Sequence, residues 1–415
     1  HPQGFGIDRV DYETQVRNPK SSARWYAKVA GTNTVAGRGG GLVLAARADY
    51  HGGDGLCGKA CSMKTEGTQG ILTPPYVTRP AAPTLDQVAE RAGVSRSTAS
   101  RAINGGLRVS PEAQASVDAA VADLRFTPNR AARSLVTRRT SSVGLVVPEP
   151  DERVLSDPFF ASTIQGLNTA LRDADLQLVL MMARPEDIAT RTLRYLRGGH
   201  VDGAVVVSHH RNDVLADGLR RSGVPTVFIG RPFNTVGGDH VHYVDVDNVG
   251  GGRMATEHLL QIGRRRIGTI AGPQDMSAGL DRLAGWSAAL SGAGLVSDAV
   301  EYGDFTMAGG ARAAARLVAK YPDIDALFVA SDLMAVGALS MLANAGRVVP
   351  GDVAVVGYDN LVAATTSSPT LTTIVNPVVA MARTAGEMLI DLLTGKRVDQ
   401  APVVFAPELV IRLSA

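Results

Sequence analysis

From residue 141 onward, short β-branched apolar runs alternate with segments of helical period, and this alternation limits the fold more than any other feature. The runs are Val143 to Val147, Leu176 to Met182, Gly203 to Val207, Pro225 to Ile229, Val241 to Val246, Ile267 to Ala271, Ala326 to Ala330 and Val353 to Tyr358. Continuous apolar strands separated by helices mark parallel sheets covered on both faces. Leu371 to Val375, a helix over Val379 to Leu393, and strands at Val403-Val404 and Leu409 to Leu413 complete the series. About 270 residues of this texture exceed one common doubly wound sheet. The expected body is therefore two Rossmann-like subdomains around a cleft, with the chain crossing between them near 245 and 376.

Charge is divided along the chain as well. The 415 residues carry a formal net charge of +2. Residues 1–83 hold ten Lys/Arg against six Asp/Glu, residues 84–140 hold nine against five, and residues 141–415 hold 23 against 29. A basic front on an acidic body points the front toward a polyanion. Both cysteines, Cys57 and Cys61, precede the first periodic pattern, so no disulfide framework or structural zinc site is expected in the main folds. No run approaches the ~20 apolar residues of a membrane span, and no charged and then apolar leader is visible. The expectation is a bacterial cytoplasmic protein, nucleoid-associated when bound to DNA, that engages no membrane. Residues 1–83 lack a sustained period and are broken by Gly39-Gly40-Gly41, Gly52-Gly53 and Pro74-Pro75. They read as a disordered or non-native leader, with Met63 as a candidate start.

At Thr84 the pattern changes. Thr84-Leu85-Asp86-Gln87 is a capping box, and Leu85, Val88, Ala89 and Ala92 fall on one helical face. Gly93 ends that helix, Ser95 caps a second through Ile103, and Ser110-Pro111-Glu112 opens a third that buries Val117, Ala120, Val121 and Leu124. Helix, glycine turn and helix, with basic residues opening the second helix, is the helix-turn-helix arrangement, which enters the major groove N-terminus first. Arg96, Ser97 and Arg101 then project toward base edges, where an arginine fork suits guanine. Thr98 and Ser100 suit phosphates or packing.

The string from Thr84 to Asn104 resembles, almost position for position, the headpiece of the LacI/GalR family of bacterial transcription regulators. The resemblance continues through Phe126-Thr127-Pro128-Asn129-Arg130-Ala131-Ala132-Arg133-Ser134-Leu135, similar to the family's hinge, and runs to the C-terminus. It implies an α/β chain with a three-helix helix-turn-helix headpiece (84–128), a hinge helix or linker (129–140) and a periplasmic-binding-protein-like effector-binding and dimerisation body (141–415). It also implies a homodimer on pseudopalindromic operator DNA, with Asn129 and Arg130 at the DNA. Leu135 then wedges into the central minor-groove step, a reasonable use for an exposed apolar side chain in a basic linker.

In the body the resemblance assigns effector contacts to Phe159 and Phe160 in Asp157-Pro158-Phe159-Phe160, and to Arg231, Arg282, Phe305, Ser331, Asp359 and Asn376. Aromatic planes suit the apolar C–H faces of a mono- or disaccharide, while arginines and a carboxylate suit its hydroxyls. Gly230 stands where many family sugar binders have Asp, Ser331 where Asn is common, and Asn376 where Gln is frequent. Each departure shortens a polar arm and leaves room for a larger ligand such as a disaccharide. His209-His210 and His240-Val241-His242 read as loop histidines, since no set of four ligands has metal spacing. Neither G-x-x-x-x-G-K-[ST] nor G-x-S-x-G occurs, so no catalytic residue, cofactor or metal is expected. The implied function is an effector-controlled DNA-binding regulator, as a repressor. The alternatives are a sugar-binding receptor of a transport system, which the body alone allows, and an enzyme built on the α/β body.

Overall fold

The computed structural model describes residues 82–105, 109–127, 139–183, 191–211, 214–233, 241–396, 398 and 401–415, and two short strands before them. By internal contacts the chain divides into two compact units, His1–Arg79 and Pro80–Ala415. In the first, β1 (Asp8–Val10) pairs antiparallel with β2 (Arg17–Pro19), where the sequence shows no period. Cys57, Cys61, Met63 and the hinge residues Asn129, Arg130 and Leu135 lie outside the described residues.

Three helices open the second unit: α1 (Leu85–Ala92), α2 (Arg96–Ile103) and α3 (Pro111–Leu124). The capping box forms in full. Gln87 N–H donates to Thr84 Oγ1 at 3.3 Å, while Thr84 N–H donates to Gln87 Oε1 at 2.8 Å. Gly93 closes α1 in the left-handed conformation at φ 65°, which sets the turn into α2. Ser95 and Ser110 cap the next two helices. Val88, Ala89, Ala99, Ala102, Val117 and Ala120 are buried between the three. This small core leaves the opening face of α2 to solvent.

The body alternates strands and helices. Its first part holds β3 (Ser142–Val147), α4 (Asp151–Ser156), α5 (Pro158–Asp173), β4 (Gln177–Met182), α6 (Leu193–Arg197), β5 (Gly203–Val207), α7 (Leu215–Ser222), β6 (Thr226–Ile229) and β7 (His242–Val246). Then follow α8 (Asn248–Gln261), β8 (Ile267–Ala271), α9 (Ser277–Gly292), β9 (Val300–Tyr302), α10 (Met307–Lys320), β10 (Ala326–Val329), α11 (Asp332–Asn344), β11 (Ala354–Asp359), α12 (Val362–Thr366) and β12 (Thr372–Val375). The chain ends with α13 (Val378–Thr394), β13 (Val403–Phe405) and β14 (Glu408–Val410).

Two six-stranded sheets result, in the orders β13-β7-β6-β5-β3-β4 and β14-β12-β11-β10-β8-β9. All pairings are parallel except β12 with β14. The inner strands β5, β8 and β10 are buried along their whole length, as sheets covered on both faces require. The chain passes between sheets after β7, after β12 and again between β13 and β14. That third crossing, at 406–407, leaves no mark in the periodicity. Neither does β9, a three-residue edge strand, nor α4, a helix too short to show a period.

Helices α8 and α9 pack backbone to backbone. A Cβ on Gly252 would lie 2.2 Å from the Arg282 carbonyl oxygen, and one on Gly285 would lie 2.1 Å from that of Val249. Only glycine permits this approach, and it holds Arg282 of α9 beside Asn248 at the start of α8. Gly285→Ala is expected to force the helices apart and destabilise the body by about 1–3 kcal/mol. Urea unfolding checks it, and an unchanged midpoint would show that the pair tolerates separation.

Candidate functional site

On α2, Arg96, Ser97 and Arg101 are exposed, while Thr98 and Ser100 are half-buried. Arg96 Nε lies 3.2 Å from Asp86 Oδ1, and Arg101 Nε donates to the Ser97 carbonyl at 3.2 Å. An exposed ion pair of this kind contributes ~0–1 kcal/mol, whereas a bidentate arginine–guanine contact discriminates by ~1–3 kcal/mol. Asp86 therefore orients Arg96 without competing for it. The Thr98 hydroxyl is tied to Ser95 Oγ at 2.8 Å, and the Ser100 carbonyl accepts from Asn104 Nδ2 at 2.7 Å.

In the body, a cavity of about 760 Å³ opens between the carboxyl edges of the two sheets, the place where parallel sheets bind ligands. Phe159, Arg282, Phe305, Ser331, Asp359 and Asn376 all line it. Phe160 does not. It is 1% exposed and packs in the core with Leu167 and Leu171, its ring edge-on to Phe159 at 5.3 Å. Consecutive residues on a helix point about 100° apart, so only one of the pair can face the ligand. Arg231 is also placed otherwise than expected. Its Nη2 donates to both oxygens of Asp281 on α9 at 2.8 Å, its N–H donates to Asp245, and its carbonyl accepts from Ser277 Oγ at 2.6 Å.

The cavity also takes in Arg153, Asp157, Ser208, His209, Asp245 and Asn248, which the resemblance does not assign. Ser208, His209 and Asn248 directly follow strands β5 and β7, and that position was the available signal. Gly230 follows β6 at φ 92°. An aspartate there would be strained, which accounts for glycine at this position.

Arg282, 5% exposed, organises the inner wall. Its Nε donates to Asn248 Oδ1 at 2.9 Å and its Nη1 to the Ala330 carbonyl at 2.7 Å, and Nη1 lies 3.4 Å from Asp359 Oδ1. The guanidinium stacks 3.6 Å from the centroid of the Tyr358 ring. Asn376 Nδ2 donates to the same Asp359 oxygen at 3.1 Å. Burial pushes the Asp359 carboxyl up, against the pull of Arg282 and Asn376. Behind it, burial and then the Asp359 charge push Asp332 up to about 8, although it accepts from Thr373 and the Leu361 N–H. Two carboxyls this close do not both ionise. Burial likewise raises Asp157 and Asp245 to about 6. His209, lowered to about 4 by burial, is neutral and bonds the Gly230 carbonyl through Nε2 at 3.2 Å. Phe305 at φ 61° and Asp359 at φ 112° hold conformations that L side chains rarely adopt, as functional sites often do.

Side chains also span the cleft. His210, after β5, lies between Glu149 Oε1 of its own subdomain, 3.2 Å from Nε2, and Asp275 Oδ2 of the other, 2.8 Å from Nδ1. A ring between two carboxylates donates from both nitrogens only as the imidazolium, and the Glu149 hydrogen bond, against burial, raises His210 to about 8. Among the described residues no group of three or more His, Cys, Asp or Glu is arranged to hold a metal. Because the folded value lies above the ordinary 6.5, this clasp is complete below pH 6.5 and lost as pH rises through about 8. The body is expected to lose about 1–2 kcal/mol between pH 6.5 and 9 from this group, and His210→Gln to flatten that slope. Thermal unfolding across the range checks both. Equal slopes in the two proteins would remove His210 from the clasp.

Comparison with known proteins places this geometry. Residues 84–129 match the family model of bacterial regulatory proteins of the lacI family, and residues 256–415 that of the periplasmic binding protein-like domain. The chain is 46% identical over 334 residues to the HTH-type transcriptional regulator CelR of Thermobifida fusca, covering 80% of this chain and 98% of the relative. A solved transcriptional regulator CelR–cellobiose complex matches with TM-score 0.65 and 44% identity, covering 80% of this chain and 100% of that one. The lac repressor dimer bound to operator and the anti-inducer ONPF matches with TM-score 0.72 and 25% identity, covering 80% and 99%. Among the described residues no helix is long and apolar enough to cross a membrane. A helix-turn-helix headpiece joined to a two-sheet body with a polar cleft, matched along its length by these relatives, means that the chain belongs to the lacI family of bacterial regulatory proteins.

Proposed function

We propose that the chain is a homodimeric, sequence-specific repressor whose affinity for operator DNA is set by a sugar, and that the sugar is a disaccharide of the cellobiose class. The observation that carries this reading is the cavity. It sets two aromatic rings, Phe159 and Phe305, against a polar wall of Arg282, Asp359, Asn376 and Ser331. Rings take the C–H faces of a sugar, while the carboxylate accepts from its hydroxyls and the guanidinium donates to its oxygens. At about 760 Å³ the cavity falls in the range of small-ligand sites and has room for two pyranose rings. The solved CelR relative holds cellobiose, and this chain shares 44% of its residues.

The regulator acts in the cytoplasm, on the nucleoid. Arg96, Ser97 and Arg101 of α2 read base edges in the major groove, with Thr98 and Ser100 on the phosphates. Asn129, Arg130 and Leu135 contribute from the linker, Leu135 at the central minor-groove step. Sugar binding favours one cleft geometry over another, and the operator favours one of the same two states, so each ligand shifts the other. The sugar is sensed and not turned over. The headpiece sets this reading above a transport receptor, which has no use for a basic helix-turn-helix.

Binding to the DNA upstream of its own coding sequence tests the assignment. Arg96→Ala/Arg101→Ala is expected to lower specific affinity at least tenfold at fixed salt, the loss of one or two base contacts at ~1–3 kcal/mol each. Undiminished specific binding by the double variant contradicts it. Calorimetry with cellobiose is expected to show saturable binding with no hydrolysis product.

A further inference from the structure

Arg153 reaches the cavity from α4, the short helix after β3, and its side chain is 14% exposed. Its Nη1 donates to Glu149 Oε1 at 2.6 Å. Glu149 is itself buried and accepts from Ser208 Oγ at 2.6 Å. Burial pushes the Glu149 carboxyl up, but His210, Arg153 and Ser208 together hold it below its ordinary value. It is thus a fixed anionic anchor that sets the direction of the Arg153 fork. The guanidinium carbon lies 5.4 Å from the centroid of Phe305, which belongs to the opposite subdomain. Arg153 therefore meets the second subdomain across the cleft.

Two polar atoms in the cavity wall have no hydrogen-bond partner. One is Arg153 Nε, a donor, and the other is Asn376 Oδ1, an acceptor. Asn376 Nδ2 is committed to Asp359, which fixes the orientation of the amide and leaves its oxygen free. Buried polar atoms in native proteins are almost always paired, so these two mark where a ligand completes the wall. One lies on the first subdomain and the other at the crossing after β12. Hydroxyl groups are their natural complement, since each both donates and accepts. α4 also carries Leu155, 77% exposed, so Arg153 stands in the outer wall of the cavity while Arg282 and Asp359 form the inner one.

Resting on the sugar reading above, we propose that Arg153 is an effector-binding residue that sets selectivity for a two-ring sugar. Its Nε–H donates to an oxygen of the ring lying against Phe305, while the other ring occupies the Arg282–Asp359–Asn376 wall. A single-ring sugar engages the inner wall alone and leaves Arg153 unused. A disaccharide engages both and draws the subdomains together.

Calorimetry with cellobiose and with glucose tests this on the full chain, using Arg153→Lys, which keeps a cation for Glu149 but has no Nε–H, and Arg153→Gln. Cellobiose affinity is expected to fall at least tenfold in both variants without a change in the sugar-free thermal midpoint. Glucose is expected to bind altered and unaltered proteins within twofold of each other. Cellobiose affinity within twofold of the unaltered protein in both variants overturns the assignment. So does a fall in glucose affinity matching that for cellobiose, or a collapse of the sugar-free midpoint in both variants. If the unaltered protein binds no cellobiose, the sugar reading itself falls and takes this inference with it, so the two failures are told apart.

Discussion

A guanidinium buried to 5% exposure cannot stand unpaired, and the second subdomain is arranged around that requirement. Arg282 needs an acceptor on every side, and it finds them at the ends of three different segments: Asn248 just after β7, the Ala330 carbonyl just after β10, and Asp359 at the end of β11. Tyr358 supplies a ring beneath it. The glycine contact between α8 and α9 makes the Asn248 link possible. One charge thereby couples the first crossing between sheets to the carboxyl edge of the second sheet. The same charge, with Asn376, holds Asp359 in its uncommon backbone conformation.

Legibility in the sequence followed the range of each interaction. Capping boxes, glycine stops and apolar periods act within one helix or strand, so α1 to α3 and the inner strands could be read directly from Thr84, Gly93, Ser95, Ser110 and the valine-rich runs. The inner cavity wall was legible through resemblance, and its members sit immediately after strands, as the topology of parallel sheets demands. What escaped was set by contacts far apart in the chain. Phe160 differs from Phe159 only in which way a helix turns it. Arg231 has the composition of a ligand donor, but its partner Asp281 lies 50 residues away. His210 reads as a loop residue until Glu149 and Asp275 appear on either side. The pairing of glycines between helices, and the placement of Arg153 by a six-residue helix, have no local signature.

The two subdomains meet in two kinds of contact. Arg231–Asp281 and His210–Asp275 close the cleft by charge at its margin, and Arg153–Phe305 closes it over the cavity. None is strong alone, since partly exposed pairs contribute little. A cleft held by several weak clasps opens and shuts at small cost, and a ligand touching both walls can then shift the balance between states by its own differential affinity. A stiffer closure would leave the effector nothing to regulate.

The central claim is that one conformational equilibrium joins the cavity to the headpiece. Linkage makes such coupling reciprocal: the factor by which sugar changes DNA affinity must equal the factor by which DNA changes sugar affinity. The direct measurement is calorimetric titration of the full chain with cellobiose, in the absence and presence of saturating DNA from upstream of its own coding sequence. The account requires the two dissociation constants to differ at least fivefold, by the same factor that cellobiose imposes on DNA binding. Identical constants with and without DNA would contradict it.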